Sequence, residues 1–416
     1  MHPTLSVDPA AAVGSVDAAA ARPWDDRLAR RTRGRDGTLS AILALANVSG
    51  VINFSGGFPD HSIFPTEALH RLTDKLLHDD AAVALQYAPS EGIASTRELL
   101  RDQLARTQGI RPAESELMIT SGGIDAITLI AKSMLDPGDT VLVEQPSYVG
   151  AVTGFATFDA RVVGVPIDEQ GLDVEALARL LASGERPKVL YVIPDHQNPT
   201  GWTLIEERRR ALVEICRRHG VLIVEDVAYR ELGFAESPAP SLWSLAPDTV
   251  VQIGTFSKTF FPGVRLGWAA GPAEVVEQMV FAKQNSDQCA GALGQRLLEE
   301  FVRGGYYDDQ VAGARRLYRR RAAVMTEALT ASFGDSRATW SEPDGGFFCW
   351  VRLPGVDTVE LAARARDAHV AFVPGAGFFV GGGDTEHLRL SYSRVADADI
   401  PEGISRLAAA ARLASG

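Results

Sequence analysis

From about residue 115 onward, short apolar runs alternate with helical patterns. Leu117–Ile119 and Thr140–Val143 read as strands, and Ile124–Met134 between them carries apolar residues at helical spacing. Val189–Ile193, Val221–Val224, Val250–Ile253 and Leu266–Ala270 continue the series. Val221–Val224 is apolar throughout, the pattern of a strand buried on both faces. Thr203-Leu-Ile-Glu206 has the form of a capping box, opening a helix that stops before Gly220. Strand, helix, strand in alternation predicts an α/β domain on a mostly parallel sheet. After about residue 300 the texture changes. An Arg-rich helical stretch, Arg315–Leu329, leads into strand-like Phe347–Leu353, Val370–Val373 and Leu388–Tyr392, and a helix over Gly403–Leu413 closes the chain. This second pattern predicts a smaller α+β domain, with the boundary near residues 295–310.

Composition narrows the function classes. The 416 residues include 41 basic and 53 acidic side chains, a net charge of −12. Such a balance argues against a nucleic-acid backbone or an anionic membrane as the main partner. No run approaches the ~18 apolar residues of a membrane span. Residues 1–22 are rich in Ala, Val and Ser, with Asp8 and Asp17, and lack the basic start and apolar block of a signal peptide. A disordered tail and a cytoplasmic protein are the expectation. Cys216, Cys289 and Cys349 are too few for a disulfide framework and show no metal spacing, so no metal site is expected. Arg27, Arg30, Arg31, Arg33 and Arg35 crowd the lead-in segment; they read as a solvated face, from which one could reach a ligand carboxylate.

In an open α/β sheet, ligands bind outside the carboxyl ends of the strands. The residues that follow the predicted strands are Ser121-Gly122-Gly123, Tyr148, Asn198-Pro199-Thr200-Gly201, Asp226 with Tyr229, and Ser257-Lys258 with Arg265. Lys258 is one of five lysines and sits between an apolar strand and an aromatic turn. Burial there would lower its pKa, and a neutral amine can form a Schiff base. A Gly-x-Gly-x-x-Gly turn after the first strand is missing, which argues against a nicotinamide-binding Rossmann enzyme.

These motifs stand in a known order. Ser257-Lys258 with Arg265 resembles the pyridoxal-phosphate (PLP) lysine segment of fold-type I aminotransferases. Asn198-Pro-Thr-Gly201 resembles that family's Asn-Pro-Thr-Gly turn, and Asp226-Val-Ala-Tyr229 its Asp-x-x-Tyr element. The spacing agrees too: 28 residues from Asn198 to Asp226, then 32 to Lys258. Phe54-Ser-Gly-Gly57, Gln86-Tyr-Ala-Pro-Ser-Glu-Gly92 and Val192-Ile-Pro-Asp-His-Gln-Asn198 bring the chain nearest to the 2-aminoadipate/kynurenine/aromatic aminotransferase branch, over roughly residues 38–413.

The resemblance implies an α/β fold: a large PLP-binding domain over 65–300, with a mostly parallel seven-stranded sheet flanked by helices, and a small α+β domain over 301–416 to which 23–64 contributes. It implies an enzyme moving an amino group from an α-amino acid to a 2-oxo acid. Lys258 would hold the coenzyme and shuttle a proton. Asp226 would pair with the ring nitrogen, which must stay protonated for the ring to accept electrons. Asn198 and Tyr229 would bond the phenolic oxygen, and Tyr148 would stack on the ring. Ser121, Gly122, Gly123 and Ile124 at a helix start, with Thr255, Ser257 and Arg265, would hold the phosphate. The Gly123-Ile124 pair departs from the branch's usual Ser-Gln type pair and removes side-chain donors. Tyr87 matches a tyrosine that reaches the neighbouring subunit's phosphate, which implies a homodimer. Arg389 matches the arginine that clamps the substrate α-carboxylate, and Asn198, Gly57 and His196 fall at the substrate pocket. Of Phe347, Phe348, Phe378 and Phe379, most are expected in the core. The same fold also hosts lyases, β- or γ-replacement enzymes, oxidases and cyclases, so another outcome in specialised biosynthesis is the alternative. A transcription regulator with an aminotransferase-like domain is disfavoured by the acidic charge and by a resemblance that begins near residue 38.

Overall fold

The structure is a computed structural model that describes residues 24, 27–32, 40, 50–235 and 238–412. The expected N-terminal tail, together with Arg33 and Arg35, lies outside the described residues. Chain contacts divide the protein into 1–36 and 37–416. In the first unit, Arg30–Thr32 forms one 3-10 turn, with the Thr32 hydroxyl donating to the Ala29 carbonyl at 2.7 Å.

In the second unit, a sheet carries the strands in the order Leu117–Thr120, Gly267–Ala270, Val250–Thr255, Leu222–Asp226, Pro187–Val192, Thr140–Gln145, Arg161–Asp168 and Gly171–Leu172. Its four central neighbour pairs are parallel, and Gly267–Ala270 runs antiparallel to both of its neighbours. The seven expected strands are therefore extended at one edge by a two-residue strand, Gly171–Leu172, in a hairpin with Arg161–Asp168. Apolar runs bury both faces. Val141, Val143, Val189, Tyr191 and Val224 point into one core, while Leu142, Leu190, Val192 and Ile223 point into the other.

A second sheet, ordered Thr339–Trp340, Phe348–Arg352, His387–Ser391 and Val373–Pro374, is antiparallel. Ile52–Asn53 pairs in parallel with Val370–Ala371 beside it. The helix Tyr306–Phe333 packs on the helix Asp399–Arg412. The expected strand Val370–Val373 is thus split between two sheets, its Phe372 buried at the crossing.

One local expectation is corrected. Thr203 does not cap the helix Glu206–His219, whose N-cap is Ile205 without a side-chain bond. The Thr203 hydroxyl donates instead to Asp344 Oδ1 at 3.0 Å. The other end agrees with its signal, as Gly220 takes the left-handed conformation, φ +66°.

Candidate active site

Loops leaving the strand ends at Thr120, Gln145, Val192, Asp226 and Thr255 surround one cavity of about 230 Å³. Lys258 Nζ donates to the Gly57 carbonyl at 2.7 Å. Burial lowers its pKa to about 8, helped by Arg389 and Arg265 and opposed by Asp226. A share of neutral amine is therefore present near neutral pH. Asp226 closes its strand, and its Oδ1 accepts the Ala228 N–H at 3.0 Å while its Oδ2 accepts the Tyr191 hydroxyl at 2.7 Å. Burial raises its pKa, against those two bonds and Lys258.

Arg389 lines the same cavity. Alternation along His387–Ser391 puts Leu388 and Leu390 in the core and Arg389 on the other face, where it is buried rather than solvated. One terminal nitrogen donates to Asn198 Oδ1 at 2.8 Å and the other to the Ser55 carbonyl at 2.7 Å. The guanidinium lies over the rings of Phe348 and Phe378, 4.4 and 5.0 Å from their centres. Its Nε is buried without a partner. Burial pulls its pKa down to about 10, leaving it a cation at neutral pH. The Tyr229 hydroxyl meets the Asn198 amide, and burial pushes its pKa far up. Tyr148, whose pKa burial raises to about 12, lines the same cavity. Its ring lies over Gly150, where a Cβ would come within 2.5 Å of it.

The far end of the cavity is a cradle for an anion. The helix Gly123–Met134 starts there, and the N–H groups of its first turn have no intrahelical partner. Gly122 has φ +102°, and a Cβ on it would come within 2.7 Å of Arg265 Nη2. Arg265 Nη2 donates to the Ser121 carbonyl at 3.2 Å, and Arg265 Nη1 reaches the Ser257 hydroxyl at 3.4 Å. Thr255 donates to the Ser257 oxygen at 3.0 Å.

Two expected residues are placed otherwise. Both donors of Ser121 are used away from the cavity: its hydroxyl bonds Asp287 at 2.5 Å and its N–H bonds Asp125 at 2.8 Å. The cause is Lys283, fully buried and held by the carboxylates of Asp125 and Asp287, each at 2.8 Å. His196 does not line the cavity. It takes φ +52°, bonds Asp344 at 2.8 Å and packs against Gly233, Gly345 and Gly346. Tyr87, expected to reach a neighbouring subunit's site rather than its own, is 75% exposed. Among the phenylalanines, Phe348 and Phe378 neighbour Arg389, and the Phe347 ring lies 5.8 Å from Lys258 Nζ.

Sequence reasoning missed Tyr191, Ser55 and Gly150. Tyr191 had a signal, a phenol inside an otherwise apolar strand. The other two act through a carbonyl and through empty space.

A strand-end carboxylate, a lysine of lowered pKa, an anion cradle and a buried guanidinium around one cavity define a PLP-dependent enzyme of α-amino acids. Residues 49–407 match the model of the class I and II aminotransferases, and the chain belongs to that family. It is similar to the 2-aminoadipate transaminase of Thermus thermophilus, 38% identical over 89% of this chain and 92% of that protein. Aromatic-amino-acid aminotransferase 1 of Thermococcus litoralis is 34% identical over 88% of this chain and 89% of its own. The solved α-aminoadipate aminotransferase of Thermus thermophilus, complexed with N-(5'-phosphopyridoxyl)-L-leucine, superposes with a TM-score of 0.87 at 36% identity, over 94% of this chain and 99% of that one. The protein is a fold-type I aminotransferase that uses PLP. Its residues fit the coenzyme: a lysine of lowered pKa, the buried carboxylate of Asp226 and the helix start at Gly123 with Arg265 line one cavity.

Proposed function

We propose the following division of labour for the transfer of an amino group from an α-amino acid to a 2-oxo acid. Arg389 binds the substrate α-carboxylate; its planar donors and the neighbouring rings of Phe348 and Phe378 support that role. Lys258 holds the coenzyme and moves the proton at the substrate Cα, its amine neutral from about pH 8 upward. Asp226 faces the ring nitrogen, Asn198 and Tyr229 the phenolic oxygen, and Tyr148 the ring. The Gly123 and Ile124 N–H groups, Thr255, Ser257 and Arg265 hold the phosphate, and Gly57 lines the substrate side. When bound, PLP supplies the sink for the electron pair left at Cα. The observation that carries this reading is the pairing of Lys258 and Arg389 in one cavity, anchored on the neighbouring carbonyls of Gly57 and Ser55.

The active unit is a homodimer in this reading, with Tyr87 completing the neighbouring site. Exposed Val83, Leu85 and Tyr87, close together in the chain, and exposed Ile124 at the cavity support it, since they offer apolar surface. We place the enzyme in the cytoplasm, which the free thiols of Cys216, Cys289 and Cys349 support. Among the described residues, no helix is long and apolar enough to cross a membrane.

The test is to add 2-aminoadipate, kynurenine and aromatic amino acids one at a time to the PLP-loaded protein. Absorbance and 2-oxo acid release are followed together. Reversible bleaching with stoichiometric oxo acid, lost in Lys258→Ala, is expected. Ammonia release or oxygen uptake in its place would overturn amino transfer.

A further inference from the structure

We propose that Tyr191 is a positioning residue for Asp226, holding its carboxylate ionised and turned toward the coenzyme ring. This rests on the reading of Asp226 as the partner of the ring nitrogen.

Strand register makes the contact. Tyr191 pairs with Val224, and Asp226 lies two residues further along on the same face, the diagonal position that a long side chain can reach. The Tyr191 ring is fully buried and packs edge-on against Phe155, with centroids 6.0 Å apart. Phenylalanine could fill that space equally well. The hydroxyl adds a bond of 2.7 Å to Asp226 Oδ2. With the Ala228 N–H on Oδ1, each carboxylate oxygen then accepts one bond from the protein, which fixes the plane of the group. Burial and the neighbouring Asp226 push the phenol pKa well above its usual range, so Tyr191 remains a donor at any pH the enzyme meets. A buried carboxylate without such donors tends to take up a proton. It would then be a poorer partner for a ring N–H⁺. A hydrogen bond to a charged group is also among the stronger ones in a protein.

Tyr191→Phe keeps the packing and removes the bond. Without its donor, Asp226 becomes more basic and draws the ring proton toward itself. The ring loses positive charge, and the nitrogen joining it to Lys258 becomes more basic. The midpoint of the visible absorbance titration of the bound coenzyme is therefore expected to rise by about 0.5–1 pH unit. kcat should fall about tenfold with KM little changed, the mark of an interaction felt in the transition state. The melting temperature of the apoprotein should move by only a few degrees. Asp226→Asn serves as the reference. If it alters PLP affinity and absorbance while Tyr191→Phe leaves the titration unmoved, the positioning role is wrong and the reading of Asp226 stands. If Asp226→Asn leaves both unchanged, that reading fails and this one with it. A Tyr191→Phe protein with a lower melting temperature, a lower rate and an unmoved titration would make Tyr191 merely structural and overturn the proposal. In the double variant, Tyr191→Phe should add nothing to the Asp226→Asn titration, because the two act as one unit.

Discussion

Arg389 carries the sharpest consequence of a single substitution. Arg389→Ala removes the donors to Asn198 Oδ1 and the Ser55 carbonyl as well as the expected carboxylate contact. Losing one member of a buried charged pair costs about 2–5 kcal/mol. For any α-amino acid tried, kcat/KM should fall by roughly 30-fold to several thousand-fold. A side-chain-dependent loss would place the carboxylate contact elsewhere. Glu144 gives a pH prediction. It is buried, its Oε2 accepts the Ile193 N–H and the Gln197 amide, and burial raises its pKa to about 8. The folded chain then holds a proton that the unfolded chain releases near the usual value of 4.5. The protonated group favours the fold below that value, and the advantage is lost as pH rises through 8. Glu144→Gln keeps an acceptor oxygen and removes the titration. Unfolding free energies at pH 6 and pH 9 should lie closer together in the variant than in the parent; an unchanged gap would refute the assignment. At this scale, the strand-end positions of Lys258, Asp226 and Asn198 were legible because each follows an apolar run, whereas Arg389 was singled out only by the family resemblance; all four line one cavity. Lys283 was not legible: nothing local marks it as buried, and its partners Asp125 and Asp287 meet it only through the fold.

Elements were legible where one rule governed them. The central strands buried on both faces are uniform apolar runs, and each was placed to within a few residues. Arg161–Asp168 was missed because it lies near the sheet edge, is only partly covered and contains Gly164 and Pro166, both poor strand residues. The Thr203 box failed because Asp344, more than a hundred residues away, takes the hydroxyl. The helix start at Gly123 yields its own test. Gly122→Ala would place a Cβ 2.7 Å from Arg265 Nη2 at a positive φ. Displacing Arg265 should weaken PLP binding while leaving the affinity for unphosphorylated pyridoxal within about twofold. Equal losses for both, measured by equilibrium dialysis of the apoprotein, would show general damage instead.

For the whole molecule, the proposed homodimer with a shared site predicts complementation. Lys258→Ala and Tyr87→Phe should each impair the homodimer. A mixed dimer unites an intact Lys258 with a Tyr87 from the other protomer, restoring one complete site. Activity regained on refolding the two variants together, toward about half the parental value per mixed dimer, is the expected result. No recovery, with mixed dimers shown to be present, would refute a shared site. This scale was legible only through the family resemblance, because nothing in the residues around Tyr87 by themselves marks a contact with a second subunit.

The turn before Asn198 also has mechanical meaning. Asp195 is clamped by Arg209 and Arg230, His196 by Asp344, Gln197 by Glu144 and the Pro146 carbonyl, and Asn198 by Arg389. Four consecutive residues are thus tied to the large sheet and its helices on one side and to the small sheet on the other. The turn couples them like a gear, so a tilt of either sheet would displace Asn198 and Arg389, the pair proposed to bind the substrate. A loop built this way should behave like core. The amide of Gln197, bonded to the Trp202 carbonyl at 2.9 Å, should exchange with solvent as slowly as the central strands rather than at the pace of its neighbours on the surface.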